Sequence, residues 1–281
     1  MTILVTGASG KLGRLIIESL LERGASSDSI VAGARDVSRV DVPGVRTVRL
    51  DYSDAASVAA AMEGVDTVML VSGSEVGQRA AQHRAVVDAA IAAGVTKLVY
   101  TSAPKATTSD LVLAPEHRAT EELITASGIP AVILRNNWYT ENYLPDLVRA
   151  GETGVLAAGA GNGRVASASR KDYADAAAVV LLEDGHLGQV YELGGDVAWD
   201  YDDLAAAMSE VTGRPVEYRR LSFDEQVEAL RDAGLDDGTA GFVAALDAGI
   251  RDGALADTDG TLSRLIGRSS TPLVEGLRAA S

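Results

Sequence analysis

Three glycines open the chemistry of this chain. Gly7-Ala8-Ser9-Gly10-Lys11-Leu12-Gly13 spaces them as G-x-x-G-x-x-G. With 29 glycines among 281 residues such spacing arises by chance, so position must carry the reading. The motif directly follows the apolar run Ile3-Leu4-Val5 and opens a helical stretch. There Gly7 permits a tight turn, Gly10 lets the backbone approach a pyrophosphate, and Gly13 lets the helix pack on the strand. The helix start offers unpaired N–H groups and a positive dipole end to an anion. The bland alternative is an ordinary glycine-containing turn. A dinucleotide also needs a group at its adenosine ribose. The second strand ends Ala34-Arg35-Asp36. Arg35 can pair with a 2′-phosphate, which favours NADP(H). Asp36 as a ribose acid is the alternative, one residue past the usual position.

The rest of the inventory is defined by what is missing. Four residues before Lys11, Lys97, Lys105 and Lys171, the only lysines, stand Gly7, Ala93, Thr101 and Ser167. No Tyr-x-x-x-Lys pair exists, so tyrosine-based alcohol dehydrogenation is not expected. G-x-S-x-G and H-E-x-x-H are absent too. His83, His117 and His186 are scattered in a chain without cysteine, so no metal site is expected. What remains could pass a hydride from a nicotinamide without a dedicated strong acid. That suits an electron-poor acceptor such as a quinone, whose hydroquinone anion any weak acid protonates.

Several side chains have two readings each. His117, after Pro115-Glu116 at a helix start, could donate a proton or be a surface or capping histidine. Trp138, Tyr139 and Tyr143 fall within six residues of a chain that is 4% aromatic. They could stack on a flat acceptor or glue a small lobe to the sheet. Asn142 could bond a quinone oxygen or cap a helix. Glu75 could touch a cofactor or be a solvated acid at a helix N-terminus.

Strands and helices must position these groups. Apolar runs at 3–6, 30–34, 45–50, 67–71, 97–101 and 131–134 read as strands buried on both faces. Helices intervene near 11–23, 53–63, 78–93 and 115–127, with Gly24, Gly64, Gly94 and Gly128 just past them as left-handed caps. This βαβ rhythm predicts an α/β fold, a Rossmann-type doubly wound parallel sheet with a smaller, mainly helical C-terminal lobe. The rhythm breaks after Asn136, and 151–163 reads as a turn or hairpin. A helix near 171–183 and a strand at 189–193 follow. The domain expectation is 1–195 for the nucleotide-binding part, with about 136–165 joining the small lobe. A small α/β capping lobe takes 196–281.

Composition excludes other functions. Lys+Arg is 25 against Asp+Glu 40, a net charge of −15. From Asp196 onward 17 acids face 8 bases, so the last third holds most of the excess. Nucleic acid is not an expected partner. No basic leader precedes the first strand, and no apolar run approaches the roughly 20 residues that span a bilayer. With no cysteine, a cytoplasmic chain is expected, and a homodimer is allowed.

The sequence also resembles a known family. The glycine loop, Ser74–Arg79, Glu116-His117, Leu134–Tyr139 with Glu141–Leu144, and Ala166–Ala168 before Arg170 and Asp172-Tyr173 resemble the NmrA-like, atypical short-chain dehydrogenase family. The resemblance covers essentially the whole chain and is nearest to its quinone-reducing, NADPH-dependent members; dye reductases are more distant. It implies that Gly7, Ala8, Ser9, Gly10, Lys11, Leu12 and Gly13 hold the pyrophosphate and Arg35 the 2′-phosphate. Ser72, Gly73, Ser74 and Glu75 would lie beside the cofactor. Asn136, Asn137, Trp138, Tyr139, Thr140 and Glu141 would flank the nicotinamide. Ser167, Ala168, Ser169, Arg170, Lys171 and Asp172 would close the site, on resemblance alone. Trp138, Tyr139, Asn142 and Tyr143 would meet the acceptor. Asn137 departs from the glycine expected there and could narrow the pocket. Some members bind the dinucleotide only to sense redox state, and others reduce cationic dyes or imines; both stay as alternatives.

Overall fold

A computed structural model describes all residues, Met1–Ser281. In chain order the elements are β1 (Ile3–Val5), α1 (Lys11–Glu22), β2 (Ile30–Ala34), β3 (Arg46–Arg49), α2 (Ala55–Ala61), β4 (Thr67–Leu70), α3 (Arg79–Ala92), β5 (Lys97–Ser102), α4 (Ala114–Ser127) and β6 (Ala131–Asn136). Then come α5 (Leu144–Thr153), β7 (Val155–Ala158), β8 (Arg164–Val165), α6 (Arg170–Leu182), β9 (Val190–Leu193), β10 (Trp199–Asp200), α7 (Tyr201–Thr212) and β11 (Glu217–Arg220). The chain ends with α8 (Phe223–Asp232), α9 (Asp237–Arg251), α10 (Thr261–Ile266) and α11 (Leu273–Ala280). No helix is long and apolar enough to cross a membrane.

Two compact units result. The first takes Met1–Thr107, Pro115–Asn136 and Arg170–Leu193, and the second takes Thr108–Ala114, Asn137–Ser169 and Gly194–Ser281. Unit 1 is a seven-stranded sheet in the order β3-β2-β1-β4-β5-β6-β9, parallel throughout. This is the doubly wound Rossmann-type sheet that the alternation predicts. Alternate residues of a strand face opposite layers. Leu4, Val31, Val68 and Leu98 join Val58 of α2, Val86 of α3 and Ile124 of α4 in one core layer. Ile3 and Val5 are equally buried and point the other way. α1 and α6 pack together, with Ser19 Oγ donating to Asp175 Oδ1 at 2.9 Å. The left-handed glycines fall where the sequence puts them, at 24, 64, 94 and 128. Asp54 caps α2 by accepting from the N–H groups of Ala56 and Ser57.

Two sequence expectations are corrected. β3 is not buried on both faces: Arg46, Thr47 and Arg49 are exposed and only Val48 is partly covered. It is the sheet's edge, where charged side chains discourage further pairing. The 151–163 stretch is not a hairpin either. β7 pairs in parallel with β11, sixty residues further on, with Val155 opposite Glu217. Before it the chain forms α5, started by Pro145 in its first turn and stopped by left-handed Gly154. Both signals are legible in the sequence.

Unit 2 has its own core. Tyr143, Leu147, Leu156, Trp199, Tyr201, Leu204, Met208 and Leu255 are among its buried members. β8 and β10 add a short antiparallel pair. Asp200 and Asp203 make a capping box at the start of α7, which closes that helix onto the core.

Candidate functional site

The sheet reverses strand order between β1 and β4. Crevices outside the carboxyl ends of strands at such a switch point are where open α/β sheets take ligands. Two loops leave those ends, Thr6–Gly10 after β1 and Val71–Gln78 after β4.

The first is shaped by glycine. Gly7 has φ +62°, a left-handed turn that lets Gly10 N–H donate to the Gly7 carbonyl at 2.9 Å. Ala8 N–H donates to Gly33 O at 3.0 Å and ties the turn to β2. A Cβ on Gly13 would overlap the Gly7 carbonyl, so α1 approaches β1 only because position 13 has no side chain. No side chain caps α1 and no acid stands in its first turn. Its leading N–H groups are thus shaped for an anion from outside the helix.

At the end of β2 the two ribose candidates separate. Asp36 Oδ1 accepts from Ser38 N–H at 3.0 Å and from Ser38 Oγ at 2.6 Å, which caps a short 3-10 turn. Its carboxyl is held below the usual carboxylate range by those bonds. Arg35 is exposed, and its Nη1 lies 3.2 Å from Glu75 Oε1. Arg14, also beside the loop, pairs with Glu18 at 2.7 Å and Asp41 at 3.8 Å.

The β4 loop is clamped from below by groups that motif reading missed. Arg79, buried, donates from Nε to Ser72 Oγ at 3.1 Å and to Gly73 O at 3.0 Å. Its Nη1 reaches Glu116 Oε2 at 2.5 Å, and Glu116 Oε1 accepts from Gly77 N–H at 2.8 Å. His83 Nε2 accepts from Gly73 N–H at 3.1 Å, which leaves Nδ1 to donate to Thr120 Oγ1 at 3.0 Å. Tyr52 OH lies 2.5 Å from Thr6 Oγ1 and donates to Val71 O at 2.7 Å, joining the two loops. A signal was present. Arg79, Gln82 and His83 are buried at the spacing of Val86, Val87 and Ala90 one face along α3. A core stripe that turns polar at a helix N-terminus marks a site rather than a core.

His117 belongs to the same buried set. Its Nδ1 lies 2.8 Å from Tyr100 OH, and its ring stacks at a tilt on Tyr100. Burial, with the charge of Arg79, pushes its pKa down to about 3, and His83 falls to about 3 for the same reasons. His117 is thus neither a surface histidine nor an imidazolium at pH 7. Nearby, Arg135 forks onto Glu121, with Nε–Oε1 at 2.9 Å and Nη2–Oε2 at 2.6 Å, and reaches Glu192 at 2.8 Å. This pins the end of β6, whose last residue is Asn136.

In unit 2 the structure joins two segments far apart in sequence. Tyr139 and Ala168 form a parallel bridge. Thr140 N–H donates to Ala168 O at 3.0 Å, and Ala168 N–H to Trp138 O at 3.1 Å. Ser167 Oγ lies 2.9 Å from Thr140 Oγ1 and accepts from Trp199 Nε1 at 3.1 Å. Ser169 Oγ donates to Thr271 Oγ1 at 3.3 Å. Trp138 packs partly buried against the core, and Asn142 N–H closes a turn onto Tyr139 O at 3.0 Å.

Three residues lie elsewhere than the sequence reading put them. Tyr143 is core: it packs edge-on against Trp199 at 5.2 Å, and its OH lies 3.3 Å from Tyr201 OH. Its hydrophobic bulk stabilises unit 2 rather than stacking on an acceptor. Lys171 turns its Nζ to Asp175 at 2.6 Å and Glu22 at 2.8 Å, so its charge is spent between α6 and α1. Asn137 donates from Nδ2 to Leu255 O at 3.2 Å and accepts from Trp138 N–H at 2.7 Å. Its amide fixes the segment instead of narrowing a pocket.

Comparison with known proteins adds the following. Residues 7–184 match the family model described as NAD(P)H-binding. The chain is 46% identical over 277 residues to Quinone oxidoreductase 2 of Escherichia coli (strain K12), covering 98% of this chain and 97% of that one. It is similar to the crystal structure of the Escherichia coli NADPH-dependent quinone oxidoreductase complexed with NADPH, with a TM-score of 0.95, 45% identity and 99% of each chain covered. It is also similar to the Citrobacter sp. triphenylmethane reductase complexed with NADP(H), with a TM-score of 0.94, 36% identity and 100% of each chain covered.

Proposed function

The chain belongs to the NAD(P)H-binding family, and from that premise we propose that it is an NADPH-dependent reductase of quinones. The observation that carries this reading is the uncapped, acid-free start of α1 beside Arg35, at the sheet's switch point. Full-length likeness to a quinone oxidoreductase supports the acceptor.

The residues present fit the cofactor. Gly7–Gly13 would take the pyrophosphate on backbone N–H groups, with the dipole of α1 behind them. Arg35 would take the 2′-phosphate in a charge-assisted bond. Asp36 is tied to Ser38 through Oδ1 as the cap of its turn. Ser72–Glu75 would line the cofactor, held by Arg79 and His83. Asn136–Glu141, Ser167–Arg170 and Asp172 are proposed as the groups around the nicotinamide, with Trp138 and Tyr139 against the acceptor. When bound, the nicotinamide supplies a hydride. The chain's own residues orient the two reactants, which is the larger share of such catalysis. A hydroquinone anion is protonated readily, so no strong acid is required. His117 stands neutral among Arg79 and Tyr100, so we assign the proton to water. A cysteine-free chain of this kind fits the cytoplasm, where thiols stay reduced.

The test is steady-state NADPH oxidation with a small benzoquinone. Turnover well above background is expected. Tight NADPH binding without turnover would overturn the enzyme reading while leaving the cofactor reading intact.

A further inference from the structure

Glu75 faces two ways. Its Oε1 lies 3.2 Å from Arg35 Nη1, and its Oε2 accepts from Gln82 Nε2 at 2.8 Å. Gln82 is buried and shares that amide with Ser53 Oγ at 3.2 Å. The carboxylate is therefore anchored on α3 and presented to the guanidinium. Both partners are exposed, one after β2 and one after β4. Asp36, at the end of β2, accepts from Ser38 through Oδ1 and caps the turn there.

We propose that Glu75 sets the choice between NADPH and NADH, by opposing a 2′-phosphate at Arg35 and accepting from a 2′-hydroxyl. The inference rests on the reading of Arg35 as the 2′-phosphate site. A phosphate monoester carries roughly −1.5 to −2 charge at neutral pH. To bind Arg35 it must displace or share the guanidinium with a carboxylate that stays in place. The same carboxylate accepts a hydrogen bond from a ribose hydroxyl, the usual duty of a β2 acid. Glu75 thus brings from β4 an acid of the kind such a fold usually carries at the end of β2. The chain is left able to use both cofactors, with a preference for NADPH that is held below what Arg35 alone would give.

Glu75→Gln keeps the shape and an oxygen for Gln82 but removes the charge. Dissociation constants for NADPH and NADH are measured on the full chain by nucleotide fluorescence. NADPH is expected to tighten about fivefold, the upper range for an exposed ion pair. NADH is expected to stay level or weaken, and the change should shrink in 1 M salt. A ratio that stays level or falls overturns the role of Glu75. Glu75→Ala removes the Gln82 bond as well. If Ala shifts the ratio and Gln does not, the effect is one of loop position, and the proposal fails. If the unaltered chain binds NADPH but Arg35→Ala leaves the ratio untouched, the Arg35 reading fails and takes this inference with it.

Discussion

Arg35 has a single ion-pair partner, and both groups are in water. Such a pair is worth at most about 1 kcal/mol, which a doubly charged phosphate outcompetes. Arg35→Ala should therefore weaken NADPH by about tenfold or more and NADH by less than about twofold, read by equilibrium binding. Equal losses would remove the 2′-phosphate assignment. At this scale residue types were legible and their partners were not. The resemblance puts Lys171 among the residues that close the site, and the fold turns its Nζ to Asp175 and Glu22. Tyr143 reads as an acceptor face or as glue for the small lobe, and the fold buries it against Trp199. Asp175 is four residues from Lys171, but Glu22 and Trp199 lie far from the side chains they meet, and a local motif does not contain them.

The β1–α1 unit is the element on which the site depends. Its helix must start close to its strand for backbone N–H groups to converge on a phosphate. Gly13 makes that approach possible, because any side chain there meets the Gly7 carbonyl. Gly13→Ala should lower stability by about 2 kcal/mol, through overpacking against backbone that cannot move aside. NADPH binding should weaken beyond the stability loss. Thermal melts with and without NADPH check both, and an unshifted melting temperature would show the loop to be looser than described. Elements of unit 1 were legible because their apolar periods and glycine stops are local. β7 was not, since its partner β11 lies sixty residues on and pairs in parallel.

Across the whole chain the net charge of −15 opposes a polyanionic cofactor. The sequence suggests a locally positive cofactor end made by Lys11, Arg14 and Arg35. The structure trims that picture, since Arg14 and Arg35 each face carboxylates. On the proposed reading, backbone N–H groups of α1 would carry most of the phosphate's stabilisation. The units should also differ in their response to pH. In unit 1, His83 and His117 stay neutral, each with its pKa pushed to about 3. Below about pH 6.5 the unfolded chain binds protons that these rings refuse, so stability is lost as pH falls toward 3. The urea midpoint should drop between pH 7 and pH 5, with a stability loss of about 2 kcal/mol for each ring. In unit 2, burial raises Asp146 to about 6, against the helping pull of Arg149. That cost is present above pH 6 and fades as pH falls toward 4. Asp146→Asn should therefore stabilise by up to about 3 kcal/mol at pH 7 and by little at pH 4. A gain at both pH values would mean that charge is not its origin. By itself the sequence determined the parallel α/β sheet, the phosphate loop and the class of cofactor. These rest on local periodicity, on glycine stops and on one short motif in the right place. Only the tertiary structure decided which charges remain available, that Asp36 is a cap, that Arg79 and His83 hold the β4 loop, and that Glu75 confronts Arg35. Glu75–Arg35 and Arg79–Glu116 join segments remote in the chain, and Asp36–Ser38 and Arg79–Ser72 depend on how the folded loops turn; burial and Coulomb energy act on distance in space.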